Sequence, residues 1–136
     1  MSSSPAVGNR ARIAWGVLTV LLALETLLLV WVTYLTGAAT FGDRDFLVQN
    51  ASLWVMSVCS LLWVLITLIG ALRSRASWVR GSAVTIHVLL FAAGTGCLQL
   101  AIGSWQFGFA LVGAALVGFV AAILAKPLLQ SDAVPN

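Results

Sequence analysis

The chain has 136 residues, of which 61% are hydrophobic and 8% charged, with mean hydropathy +1.06 and formal net charge +3. Soluble domains carry about a quarter charged residues, so this surface cannot face water throughout. Lipid must be the solvent for much of the chain, and the length leaves room for one domain.

Met1–Arg12 reads as a disordered cytoplasmic N-terminus, small and polar over MSSSPAVGN and closed by Arg10 and Arg12. Residues 13–36, IAWGVLTVLLALETLLLVWVTYLT, form the first predicted span. About 20 apolar residues cross a bilayer. This run of 24 exceeds the roughly 7–15 of a signal-peptide core, which predicts a retained helix. Residues 37–46 hold two glycines and three charges and are expected to form a loop. Span two covers residues 47–72, span three 79–102 and span four 106–129. The basic turn RSRASWVR separates spans two and three, and a tight turn at Gly103–Trp105 separates three and four. Lys126 and Pro127 close span four, and residues 130–136 are a cytoplasmic tail.

A lone apolar segment in lipid must satisfy its own backbone, so each span is predicted to be helical. Barrel strands would be shorter and alternating. Short connections make neighbouring helices antiparallel. The expected fold is an all-α membrane protein, an up-down-up-down four-transmembrane-helix bundle. Arg10, Arg12, Arg73, Arg75, Arg80 and Lys126 lie on one side and Arg44 alone on the other. Basic residues mark the cytoplasmic side, so both termini are expected there, in a multi-pass protein of the plasma membrane. Basic residues at span ends, rather than in one patch, also exclude nucleic acid as a partner. Trp15 and Trp78 are expected at the cytoplasmic interface, and Trp31, Tyr34, Trp54 and Trp105 at the outer one. Trp63 lies deeper and is expected to pack against another helix.

Glu25 stands in the middle of span one. A carboxylate inside a membrane span is costly and is a candidate functional site. It suits proton coupling, cation binding or partner pairing; it equally suits a hydrogen-bonded lock between helices. His87 in span three is its natural partner. With both spans starting at the cytoplasmic interface, Glu25 lies about 18 Å deep and His87 about 12–13 Å. The two are expected to form a buried polar pair facing the bundle interior. Ala110, Ala114, Gly118 and Ala122 repeat every four residues in span four and form a candidate helix-packing face. Arg73, Arg75 and Arg80 form a cytoplasmic basic cluster suited to topology or to lipid head groups. Cys59 and Cys97 lie in apolar stretches without metal-ligand spacing and read as small buried hydrophobes. One histidine is too few for a bis-His haem, and two ligands are too few for a metal, so neither a metal nor a cofactor is expected. No phosphate loop, nucleophile motif or acid pair is present.

A Leu-Glu in span one, the turn SWVRG at Ser77–Gly81, a polar residue seven positions after Arg80, then Leu98-Gln99 and a span closing in Lys-Pro resemble a known group. They are similar to the small uncharacterised four-helix integral membrane proteins of actinobacteria, over most of Ile13–Pro127. The resemblance implies fold and topology and no activity. It also implies glutamine at position 87, which favours a polar cross-helix contact over a role needing an imidazole. Glu25 in ALET also resembles the glutamate of small multidrug resistance transporters. Their third helix carries proline, tyrosine and tryptophan, and span three here has none of these. The expected function is that of a non-enzymatic binding or accessory protein, meeting the bilayer and another membrane protein or itself. The alternative is a proton-coupled small-molecule transporter, working as a dimer with Glu25 as the coupling residue.

Overall fold

The computed structural model describes residues 5–42, 45–101 and 104–125. Among them are four α-helices and no strand: α1 (Pro5–Gly42), α2 (Leu47–Arg73), α3 (Ser77–Gln99) and α4 (Trp105–Leu124). Each is long and apolar enough to cross a membrane, α3 the least apolar with a mean hydropathy of 1.6. Large apolar side chains are exposed along all four, among them Leu27, Met56, Leu89 and Val120, as expected of surfaces that meet hydrocarbon rather than water. The residues assigned to Gly103, to the end of span four at 126–129 and to the tail at 130–136 lie outside those described.

The ends of α1 depart from expectation. Residues 5–12 are helical rather than disordered, and the helix begins at Pro5, a residue with no backbone N–H to leave unbonded. Once a helix is nucleated, each added residue brings a hydrogen bond at little cost. The helix also continues through the stretch read as a loop, ending at Gly42. Its 38 residues span about 57 Å at 1.5 Å per residue, well beyond a hydrocarbon core of about 30 Å.

The chain divides into two compact units: one takes in α1 up to Leu21 and the chain from Gly70 onward, the other Leu22–Ile69. In the first, α3 and α4 form an antiparallel pair. Arg80 of α3 bonds to Ala122 and Ile123 near the end of α4. Further along, His87 lies against Gly118, Gly94 against Val112, and Leu98 against Gly108. The buried face of α3 is Val79, Ala83, Ile86, His87 and Gly94. That of α4 is Gly108, Ala115, Gly118, Ala121 and Ala122, all Gly or Ala. Without a hydrophobic drive between helices in lipid, such small residues let backbones approach and gain dispersion contacts. Trp15 is buried at 2% exposure, and Leu18 about one turn on is fully buried.

Stops in this unit are local. The Gly70 carbonyl accepts from the Ser74 N–H, the Arg75 N–H and the Ser74 hydroxyl, ending α2. Arg75 then takes a left-handed backbone, φ 45°, and Ala101 does the same at φ 52° after α3. Ser104 caps α4, its hydroxyl accepting from the Phe107 N–H.

The second unit pairs the later half of α1 with α2, again antiparallel. The hydroxyls of Thr36 and Ser57 lie 3.1 Å apart, and the Asn50 side chain donates to the Ala39 carbonyl nearby. The Trp54 indole lies over Gly37, its Nε1 3.0 Å from where a Cβ would be, and meets the Phe41 ring edge-on. Gly37 therefore serves close packing and not chain reversal. Trp63, expected to pack, is 43% exposed.

Candidate functional site

Both members of the expected polar pair are buried, Glu25 in the second unit and His87 in the first. Glu25 shares a face of α1 with Leu18 and Leu22, at helical spacings of seven and three, and is 8% exposed. Next to it, Thr26 donates to the Leu22 carbonyl at 2.7 Å and so carries its own polar group inside the helix.

His87 is held more closely. Nδ1 lies 2.7 Å from the Ala83 carbonyl one turn back; a carbonyl only accepts, so Nδ1 carries the proton. That bond fixes the ring plane and presents the Nε2 edge to α4. There the chain has Gly118, where a Cβ would overlap the ring. The imidazole thus fills a notch that only glycine leaves open. Beside it is a partly open cavity of about 190 Å³ lined by His87, Val88 and Phe91 of α3 and Ala115, Leu116 and Phe119 of α4. Apart from His87 its lining is aliphatic and aromatic, which suits hydrocarbon.

The candidate packing face of span four is divided by the structure. Gly118 and Ala122 are buried, Ala114 is half-buried and Ala110 is exposed. The cause is helical pitch: a strict four-residue repeat advances about 40° per step on a helix of 3.6 residues per turn. The buried set follows steps of seven, three and four instead, from Gly108 to Ala115, Gly118 and Ala122, with Ala121 beside them.

The basic cluster is divided as well. Arg80 Nε donates to the Ala122 carbonyl at 3.2 Å and its Nη2 to the Ile123 carbonyl at 3.0 Å. These are among the last four carbonyls of α4, which have no partner within their helix and carry the negative end of its dipole. Arg80 is a helix cap delivered from another helix, a role the sequence reading missed. Arg73 is exposed and Arg75 half-exposed. Cys59 is exposed and Cys97 half-buried, both as free thiols. Among the described residues no three His, Cys, Asp or Glu side chains cluster as metal ligands would.

Four long apolar helices with buried polar side chains define a multi-pass membrane protein. Comparison of the chain with protein-family models, with curated proteins and with solved structures found no match.

Proposed function

We propose that this chain is a small binding or accessory protein of the plasma membrane, without catalytic activity. Its four spans run up-down-up-down with both termini in the cytoplasm, and it associates with another membrane protein or with a second copy. The reading rests on His87. The imidazole is the residue most suited to chemistry, and its ring is given over to a helix contact: Nδ1 to Ala83, the opposite edge in the Gly118 notch, and an apolar cavity alongside. Arg80 is engaged in the same way with the end of α4. Exposed aromatics such as Trp31, Tyr34, Trp105 and Phe109 leave surfaces for lipid and for a partner. Purification in mild detergent should recover a partner, or a second copy, at fixed stoichiometry, and Glu25→Gln should not change that stoichiometry.

One observation favours a second reading. Glu25 is buried in mid-span, where a carboxylate costs several kcal/mol and is retained chiefly for function. A dimeric, proton-coupled transporter would use it as the shared site for proton and substrate. In proteoliposomes, substrate-driven proton flux that is lost in a folded Glu25→Gln variant would replace the accessory reading with this one.

A further inference from the structure

Charge among the described residues of the first unit is unbalanced. Its described residues include five arginines, Arg10, Arg12, Arg73, Arg75 and Arg80, and neither Asp nor Glu. Arg80 is answered from inside, by the terminal carbonyls of α4. Arg73 and Arg75 point out of the α2–α3 turn instead, one exposed and the other half-exposed. The turn itself is firmly built. Three donors converge on the Gly70 carbonyl, and the Trp78 ring lies so close over Gly70 that a Cβ there would sit 2.6 Å from it. Trp78 is itself half-exposed, and indoles in that position settle at the level of the lipid head groups. Two accessible guanidinium groups thus flank an interfacial tryptophan, with no carboxylate among the described residues of their unit.

We propose that the α2–α3 turn binds the phosphate of an anionic phospholipid through Arg73 and Arg75, beside Trp78. Guanidinium forks match pairs of phosphate oxygens. A zwitterionic head group offers the same oxygens but brings a cation that cancels the attraction. The site goes beyond the accessory reading and is independent of it, since a transporter would carry the same turn.

The test is native mass spectrometry of the full chain in mild detergent, titrated with phosphatidylglycerol, with phosphatidylcholine and with inorganic phosphate. Phosphatidylglycerol should be retained saturably and in preference to phosphatidylcholine. Arg73→Gln with Arg75→Asn should weaken retention about 25-fold, roughly fivefold for each arginine near an anionic surface. Asn is used at position 75 because it tolerates positive φ. Arg73→Lys with Arg75→Lys should recover most of the affinity, and Arg10→Gln with Arg12→Gln should leave it within about twofold of the parent, since those residues lie outside the turn. Equal retention of the two lipids overturns the proposal. So does an equal loss in the Arg10/Arg12 variant, which would mean diffuse attraction to the whole basic end. Displacement of the lipid by millimolar inorganic phosphate would reassign the turn to a soluble anion and overturn the lipid site. Helicity by circular dichroism is checked for every variant. If the double variant unfolds, Arg73→Gln alone, at an exposed helix end, decides the matter by its fivefold effect.

Discussion

At the scale of single residues, the contact between His87 and Gly118 carries the most information. A ring and an absent side chain are complementary only as a pair. Gly118→Ala should therefore cost about 1–3 kcal/mol, as overpacking of a close-packed interior does. Gly113→Ala provides the contrast, because a Cβ there meets nothing within 4 Å; it should be neutral or stabilising by at most about 1 kcal/mol. Thermal unfolding in detergent measures both. Combining Gly118→Ala with His87→Ala should cost less than the sum of the two, because the smaller side chain vacates the space the new methyl needs. Additive effects would mean that the ring and the glycine do not meet. Ala101 offers a separate test. It holds φ 52° just past α3, and Ala101→Gly should stabilise the fold by about 1 kcal/mol by relieving the clash of Cβ with the backbone.

At the scale of elements, the spans were legible and their fine packing was not. Long apolar runs identify membrane helices because the hydrocarbon core permits little else, and four helices long and apolar enough to cross a membrane are present. Glycine was the main source of error. Gly37 looks like a breaker in isolation, yet it lies mid-helix because Trp54 needs the room. A breaker and a packing notch are the same residue in the sequence, and only the neighbouring helix tells them apart. The four-residue ladder of α4 is buried only in part for a different reason, since its period does not match the helix and Ala110 rotates to the exposed side. Glu25 and His87 were legible as buried positions, because polar groups in apolar runs turn inward. Arg80 was legible only as charge. Its function depends on where α4 ends, which is sequence some forty residues distant. Arg80→Gln should destabilise the protein by about 1–2 kcal/mol through loss of charge-assisted bonds to the α4 carbonyls. Arg80→Lys should recover only part of this, since an ammonium lacks the fork that reaches two carbonyls. Equal stability of parent and Gln variant would show that the cap contributes nothing.

For the whole molecule, the proposed topology sets a direct expectation. Single cysteines in place of Ser74 and of Asp45, in a background lacking Cys59 and Cys97, should react with a membrane-impermeant thiol reagent from opposite sides. In intact cells the residue at 45 should label and the one at 74 should not. Labelling of both from the same side would refute the odd-even arrangement of the connections.

The α3–α4 pair also bears on how the chain enters the membrane at all. With a mean hydropathy of 1.6, against 2.3, 2.4 and 2.5 for α1, α2 and α4, α3 has the weakest claim of the four to partition on its own. Its arginine and histidine each weigh against release into lipid. Both are accommodated by α4, one at that helix's terminal carbonyls and the other in its glycine notch. The translocon should therefore hold α3 until α4 emerges and pass the two to the bilayer as a hairpin. A nascent chain truncated before Trp105 should integrate its third segment less completely than the full chain, and glycosylation mapping would register the difference.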